Sequence, residues 1–242
     1  MLKRTLLNFA NGIISPFGVQ LYKSGIDMES VIKVMARGAQ DVRSVIDIGA
    51  SNGRWSKTAM KYFPEADFVA IDPLAEREPA LKQLKASHPK FDYVLCVAGE
   101  KANETIELSV SDDLDGSTVG GREGRVRSVP SHSIDAIAQM KNCRGPFVLK
   151  FDTHGVEVPI LNGAAETLKQ TSFIVMEVYN FRHTETTRLF PEMCMLLDTL
   201  GFRCFNLADP MQRPSDHSLW QMDLFFARKE NPLFQDNSYQ KV

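Results

Sequence analysis

The feature that most constrains the fold is a regular alternation of short apolar runs with segments of helical periodicity. RSVIDIG (43–49) is a β-branched run that ends in glycine, and RWSKTAMKYF (54–63) follows it as a helix that Pro64 ends. Such apolar runs are typical of strands buried on both faces of a parallel sheet. Helices that join such strands make right-handed crossovers, so the sequence predicts an α/β fold with a doubly wound, mostly parallel sheet.

The same alternation continues along the chain. Further strands are predicted over 68–73, 93–99, 105–112, 146–153 and 172–180, and further helices over 76–87, 131–140, 157–169 and 191–201. The last two predicted strands, 202–207 and 222–229, have no helix between them. Because antiparallel strands need no crossover, we expect these two to form an antiparallel pair at the sheet edge.

The length of the chain favours one domain. It has 242 residues, and at ~100–200 residues per domain one α/β domain is the simplest organisation. We expect a helical N-terminal extension over 1–42, one domain over 43–230 and a tail over 231–242. Within the extension, Asp27 is the predicted cap of a helix that ends at Gly38. The apolar extension packs either on its own sheet or on a partner subunit, so a homodimer stays open.

Charge and cysteine content restrict the partners and the compartment. The 28 Lys and Arg residues against 30 Asp and Glu residues leave a net charge of -2, which argues against nucleic acid or an anionic membrane as partner. The four cysteines show neither a Cys-x-x-Cys pair nor zinc spacing, which indicates buried or free thiols in a reducing cytoplasm. We expect no metal centre, although a divalent ion held by Asp152 and His154 stays open. No apolar run approaches the ~20 residues of a membrane span.

A glycine-rich turn follows the first predicted strand. The segment from Asp47 to Gly53, DIGASNG, leads directly into a helix, and Asp72 ends the second predicted strand. In doubly wound sheets, ligands bind at the carboxyl ends of the strands. A carboxylate at the end of the second strand can accept hydrogen bonds from the ribose of an adenosine. The pattern therefore predicts a ligand that contains a nucleoside.

This pattern fits S-adenosylmethionine better than it fits a dinucleotide such as NAD. The dinucleotide fingerprint G-x-G-x-x-G needs a small residue where Arg54 stands, because its third glycine lets helix and strand pack closely. Asp47 beneath the loop would also repel a diphosphate. An acidic residue followed by G-x-S-x-G suits an adenosine with a cationic group, such as S-adenosylmethionine. An NAD-linked oxidoreductase remains as the alternative.

Four segments together resemble the FkbM family of S-adenosylmethionine-dependent methyltransferases. They are VIDIGASNGRWS, AIDP, LKFDTHGVEVPILNGA and MEVYN. The most specific part is D-x-x-G-x-E followed by an apolar pair and Gly-Ala, present as Asp152, Gly155, Glu157 and Gly163-Ala164. The glycine loop is shared by most class I methyltransferases, and it departs here from the family's usual G-A-N-x-G.

The resemblance implies a Rossmann-like methyltransferase with a seven-stranded sheet, in which the last strand runs antiparallel. It also implies S-adenosylmethionine as cofactor and, as acceptor, a hydroxyl on a small molecule, a sugar or a glycan-like compound. Asp72 would hold the ribose, Ala98 would lie near the adenine, and Asp152 would flank the methionyl part. The complete set of implied cofactor-binding residues is Asp47, Gly49, Ala50, Ser51, Asn52, Gly53, Asp72, Ala98 and Asp152.

Asp152, His154 and Glu157 form the predicted catalytic cluster after the strand 146–153. Methyl transfer to a hydroxyl needs alignment of the reactants and removal of the hydroxyl proton. An imidazole with an ordinary pKa near ~6.5 suits that task, so His154 is the predicted base, with Asp152 or Glu157 orienting it or the cofactor. Two other interpretations stay open. Glu157 can simply stabilise the first turn of its helix, and the chain can be a non-catalytic nucleoside-binding module of the same fold.

Overall fold

The computed structural model describes residues 26–39, 41–120, 125–182 and 184–239, together with Pro16. Most of the predicted N-terminal extension therefore lies outside the described residues. The same holds for the end of the predicted tail.

Eleven strands lie in the described ranges. They are β1 (Ser44–Ile48), β2 (Asp67–Ile71), β3 (Phe91–Val94), β4 (Val97–Gly99), β5 (Glu104–Val110), β6 (Thr118–Val119), β7 (Arg125–Ser133), β8 (Phe147–Phe151), β9 (Thr171–Tyr179), β10 (Phe202–Gln212) and β11 (Leu219–Arg228). Seven α-helices accompany these strands within the same residues. They are α1 (Met28–Arg37), α2 (Arg54–Ala59), α3 (Glu78–Ser87), α4 (Ile134–Met140), α5 (Glu157–Asn162), α6 (Ala165–Lys169) and α7 (Phe190–Thr199).

The central sheet has seven strands in the order β10-β11-β9-β8-β1-β2-β3. The strands from β9 to β3 in this order pair in parallel, whereas β11 is antiparallel to both β9 and β10. This confirms the doubly wound, mostly parallel, seven-stranded α/β sheet with an antiparallel pair at its edge. β11, the last strand among the described residues, lies between β10 and β9. Because β11 runs antiparallel to β9, its N-terminal half lies at the carboxyl edge of the parallel strands.

The chain departs from the predicted strands between β2 and β7. The predicted strand 93–99 is divided into β3, which pairs with β2, and β4, which belongs to a second sheet of order β4-β7-β5-β6. The predicted strand 105–112 corresponds to β5 of that second sheet. Leu95 and Cys96, between β3 and β4, are as apolar as the residues around them. The hydrophobic pattern therefore continues through the point where the chain changes sheets.

A close backbone contact divides the predicted helix 157–169 into α5 and α6. At Gly163, between the two helices, an added Cβ would lie 2.2 Å from the carbonyl oxygen of Gly99 and 2.9 Å from that of Glu100. Only a residue without a Cβ permits this approach. The contact packs α5 against the end of β4 and so joins the second sheet to the central one.

Apolar layers cover both faces of the central sheet, because alternate strand residues point to opposite faces. One layer contains Ile46 and Leu149, and the other contains Val45 and Val148. Helix α1 packs on the second layer through a stripe of buried side chains, Val31, Ile32 and Met35. The Asp27 carboxylate caps this helix by accepting a hydrogen bond from Ser30 N at 2.9 Å, and Gly38 follows its last turn, both as predicted.

The contact at Gly163 generates a stability prediction. Gly163→Ala places a methyl group against two backbone carbonyl oxygens, and overpacking of this kind lowers the free energy of unfolding by about 1–3 kcal/mol. Gly38→Ala is the matched control, because an added Cβ there meets its nearest atoms at 3.7 Å and the residue has a negative φ of -97°. Urea denaturation of both variants measures the difference. Equal free energies of unfolding for the two variants would contradict the tight contact.

Candidate active site

A cavity of about 630 Å³ lies at the carboxyl edge of the central sheet. It spans the end of β1, where β2 continues the sheet on one side and β8 on the other. Ligands of doubly wound sheets bind at such a reversal of strand order, in pockets of about 300–1,000 Å³. The polar and small residues that line this cavity include Gly49, Ser51, Asp72, Arg77, Ala98, Asp152, His154, Glu177, Gln221 and Asp223.

The glycine loop after β1 is held by backbone contacts to its neighbours. Gly49 has φ +75°, and its N–H donates to the Ile71 carbonyl at 2.9 Å. An added Cβ on Gly49 would lie 1.9 Å from the carbonyl oxygen of Asp152. Glycine is therefore required here, both for the left-handed backbone and for the close approach of the chain that follows β8.

Asp72 ties the end of β2 to this loop. Its carboxylate accepts hydrogen bonds from Ser51 N at 2.8 Å and from Leu74 N at 2.9 Å. Burial raises the pKa of Asp72 to about 6, although both hydrogen bonds favour the ionised form. Each carboxylate oxygen has a second acceptor position, and the side chain lines the cavity. Asp72 can therefore accept further hydrogen bonds from a ligand.

The buried ammonium group of Lys150, on β8, lies between carboxylates that belong to β1 and to the turn after β8. Lys150 Nζ lies 3.6 Å from an oxygen of Asp47 and 2.5 Å from an oxygen of Asp152. Asp47 also accepts a hydrogen bond from Ser56 Oγ at 2.6 Å. Burial alone would lower the pKa of Lys150, but the charges of Asp152 and Asp47 outweigh it and raise that pKa. Burial likewise opposes ionisation of Asp152, yet Lys150 holds its pKa well below the usual range.

The predicted cofactor residues divide into two groups. Gly49, Ser51, Asp72, Ala98 and Asp152 line the cavity. The remaining ones, Asp47, Ala50, Asn52 and Gly53, do not.

The second group supports the loop instead. Asp47 is completely buried beneath it, and burial raises the pKa of this carboxyl group. Asn52 is exposed and accepts a hydrogen bond from Arg54 N at 3.2 Å. Gly53 packs beneath Leu84. Lys150 is the cation beside Asp47 in this arrangement, and the role of Asp47 toward the cofactor stays a prediction.

His154 lines the cavity but uses both ring nitrogens within the protein. Nδ1 lies 2.8 Å from Tyr179 Oη, and Nε2 lies 2.8 Å from the carbonyl oxygen of Asp115. Because a carbonyl oxygen only accepts, Nε2 carries a hydrogen. The His154 carbonyl oxygen also accepts from Thr118 Oγ1 at 2.8 Å. His154 thus attaches the segment 113–119 to the sheet, and this geometry does not favour its predicted role as the base.

Glu157 lies behind the cavity wall. Its carboxylate accepts hydrogen bonds from Gly155 N at 3.0 Å and from Thr153 Oγ1 at 3.1 Å. The side chain is buried, and burial raises its pKa. This placement matches the structural interpretation of Glu157. We therefore regard it as a positioning residue for the turn that carries Asp152 and His154.

Sequence reasoning missed the contribution of β11. Asp223 lies opposite Glu177 of β9 in the antiparallel register, and both side chains line the cavity. Gln221 of β11 and Tyr179 both donate hydrogen bonds to Glu177 Oε1. Burial and the hydrogen bond with Asp152 raise the pKa of Glu177 to about 9, so it is protonated at neutral pH. The signal that the sequence offered for β11 was one acidic residue, Asp223, among mostly apolar residues.

The described residues also bear on two other classes of site. Among them, no group of three or more His, Cys, Asp or Glu side chains is arranged to hold a metal ion. None of the helices in the described ranges combines the length and apolar character needed to cross a bilayer.

Comparison with solved structures finds methyltransferases of low sequence identity. A methyltransferase FkbM from Methylobacillus flagellatus KT has 16% identity and a TM-score of 0.48, with 76% of this chain and 44% of that chain covered. A Burkholderia thailandensis 1,6-didemethyltoxoflavin-N1-methyltransferase with bound S-adenosylhomocysteine has 13% identity and a TM-score of 0.45, with coverages of 83% and 77%. An rRNA methylase from Streptococcus thermophilus has 12% identity and a TM-score of 0.46, with coverages of 86% and 98%.

The fold and the site define a Rossmann-like α/β protein with a ligand cavity at the reversal of strand order. A family model described as the methyltransferase FkbM domain matches residues 47–204, about two thirds of the chain. The chain therefore belongs to the FkbM methyltransferase family, as its motifs predicted. Among curated proteins, none matches the sequence significantly. The chain spans less than half of the Methylobacillus flagellatus structure, at 44% of its length.

The buried Lys150 generates a second stability prediction. Lys150→Met leaves two carboxylates without their cation, and loss of one partner of a buried ion pair costs about 3–5 kcal/mol of unfolding free energy. The folded-state pKa of Asp47 then rises further above its unfolded value. Folding is favoured below that pKa and disfavoured above it, so the loss is smaller at pH 5 than at pH 7.5.

Urea denaturation of wild type and variant at the two pH values measures both effects. Lys169→Met is the control, because Lys169 pairs with Glu166 on the exposed surface and its removal leaves the stability nearly unchanged. A Lys150→Met protein as stable as the Lys169→Met protein at pH 7.5 would contradict the assignment.

Proposed function

We propose that this protein transfers a methyl group from S-adenosylmethionine to a hydroxyl oxygen of a small-molecule, sugar or glycan-like acceptor. The observation that carries the proposal is the cavity at the reversal of strand order, with Asp72 on one side of it and Asp152 on the other. Membership of the FkbM methyltransferase family supplies the reaction class. The NAD-linked alternative lacks both the fingerprint and the family match.

The residues on the β1–β2 side of the cavity fit a nucleoside. Asp72 offers carboxylate acceptors for ribose hydroxyls, and Gly49 lets the loop backbone approach a ligand closely. Ile71, Val97 and Ala98 provide apolar wall for a base. S-adenosylmethionine, when bound, supplies a methyl group activated by its positively charged sulfur. Asp152 would flank the methionyl part, where its ionised carboxylate can balance a cationic group.

The residues on the β9–β11 side fit a small polar acceptor. Met211, Gln221 and Asp223 line this side together with Glu177, and they combine hydrogen-bonding groups with one apolar side chain. Arg77 lines the cavity near its wall of residues 113–119, where it is paired with Asp115. A cavity with this acidic character disfavours the phosphate backbone of a nucleic acid, which binds to unpaired Lys and Arg. These features support an acceptor that is uncharged or carries only hydroxyl groups.

Titration calorimetry tests the cofactor proposal directly. We expect S-adenosylhomocysteine to bind and NAD to give no heat of binding. Asp72→Asn should weaken S-adenosylhomocysteine by about 10- to 100-fold, since hydrogen bonds to a charged group contribute about 1.5–3 kcal/mol. In the wild type the affinity should fall as the pH drops through about 6, because protonation removes acceptor capacity from Asp72.

Asp67→Asn is the control for that experiment. Asp67 lies at the opposite end of β2, where it is exposed. Its replacement should leave the affinity for S-adenosylhomocysteine unchanged. Binding of NAD with no binding of S-adenosylhomocysteine would overturn the proposed function.

An acceptor screen tests the second half of the proposal. Wild-type protein is incubated with methyl-labelled S-adenosylmethionine and separate panels of methyl glycosides, simple alcohols and phenols, and RNA oligonucleotides. We expect label in a hydroxylated small molecule and none in RNA, because the acceptor side of the cavity is acidic. Labelled RNA with unlabelled small molecules would contradict the assigned acceptor class.

A further inference from the structure

We propose that Asp223 is the general base that takes the proton of the acceptor hydroxyl. This inference rests on the proposed function and assigns the step to a strand that the family motifs do not include. Asp223 belongs to β11, after the end of the matched region at residue 204. Its side chain lines the cavity beside Glu177 and Asp152.

The position of Asp223 follows from the strand order. The nucleoside would occupy the β1–β2 side of the cavity, so the acceptor has the side formed by β8, β9 and β11. Asp223 lies in that part of the wall, directly opposite Glu177 in the β9–β11 register. It is the acid that β11 contributes to the cavity.

The three acids of this wall differ in what they already bind. Asp152 pairs with Lys150, and Glu177 accepts hydrogen bonds from Tyr179 and Gln221. Within the described residues, the side chain of Asp223 forms no hydrogen bond or ion pair, whereas its backbone pairs with β9 and β10. A base must have a lone pair available to the acceptor, and Asp223 meets this requirement without breaking an existing contact.

The groups around Asp223 set its proton affinity. Lys150 on β8 favours the ionised form of Asp223, whereas the charges of Asp152 and Asp209 oppose it. Glu177, the acid opposite Asp223 on β9, is protonated at neutral pH. Burial is the largest influence, and the net result is a pKa of Asp223 of about 7. A base whose pKa lies near the working pH is best suited to accept and later release a proton.

The proposed step balances in atoms and charge. As the acceptor oxygen forms its bond to the methyl carbon, the carbon–sulfur bond breaks and its electron pair stays on sulfur, which becomes a neutral thioether. The hydroxyl proton passes to a carboxylate oxygen of Asp223. Asp223 then holds this proton as a neutral carboxylic acid and releases it to solvent through the cavity. Glu177, already protonated, does not compete for it.

The direct test is carbon-13 NMR of protein with labelled aspartate carboxyl groups, titrated with S-adenosylhomocysteine bound. One aspartate should titrate with a midpoint near 7. That resonance should be absent in Asp223→Asn and present in His154→Ala, which distinguishes the Asp223 carboxylate from the His154 imidazole as the base. Asp72 is also expected to titrate, near 6, so the comparison of wild type with Asp223→Asn decides the assignment. A wild-type spectrum in which every aspartate titration above pH 5 persists in Asp223→Asn would overturn the inference.

The second test combines binding with turnover on a hydroxylated compound from the acceptor screen. Asp223→Asn should lower kcat by about 100- to 10,000-fold, the range for loss of a general base, with the affinity for S-adenosylhomocysteine unchanged. The fall of kcat/KM at low pH should persist in His154→Ala. Asp209→Asn is the matched control, because Asp209 is exposed and does not line the cavity. Its replacement should leave the plateau value of kcat unchanged. Because the charge of Asp209 raises the pKa of Asp223, the low-pH limb should move to slightly lower pH.

The outcomes separate the two proposals. Wild-type protein that binds no S-adenosylhomocysteine contradicts the proposed function. Protein that binds it normally, but in which Asp223→Asn keeps turnover within about threefold of wild type, contradicts the role of Asp223 alone. Disappearance of the low-pH limb in His154→Ala would do the same and assign the base to His154.

Discussion

The interaction on which the site depends is the buried contact of Lys150 with Asp47 and Asp152. It links Asp47, the next-to-last residue of β1, to Asp152, the residue that follows β8, and the strand order reverses between these two strands. Two carboxylates this close would repel each other without a cation. With Lys150 between them, Asp152 stays ionised at the cavity wall and Asp47 stays buried under the glycine loop.

The three acids on the β8–β9–β11 side of the cavity have different protonation states because their immediate surroundings differ. Asp152, nearest to Lys150, is ionised, whereas Glu177 is protonated because it is buried and hydrogen-bonded to Asp152. Asp223 lies between these extremes. Groups whose surroundings separate their pKa values in this way are suited to different steps of one reaction. Three acids that differ in their proton affinity therefore share one wall.

Sequence reasoning succeeded where the signal was local. Gly49 and Asp72 were placed correctly at the cavity because a strand, a glycine turn and an acid at the next strand end are read directly from neighbouring residues. The catalytic roles of His154 and Glu157 stay predictions, and their hydrogen bonds with the Asp115 carbonyl oxygen and with Gly155 N are contacts that the sequence does not reveal. Residue type showed that both side chains can do chemistry, but not whether their polar atoms already have partners.

The sequence by itself determined the protein family, the parallel sheet and the loop that follows β1, because each depends on periodicity or on short motifs. The tertiary structure decided which residues face the cavity. It inserted β11 between β9 and β10, and so brought Asp223 opposite Glu177, 46 positions earlier in the chain. It also moved β4 and β5 into a second sheet. The physical reason is that strand pairing depends on contacts between distant segments, which hydrophobic periodicity does not encode.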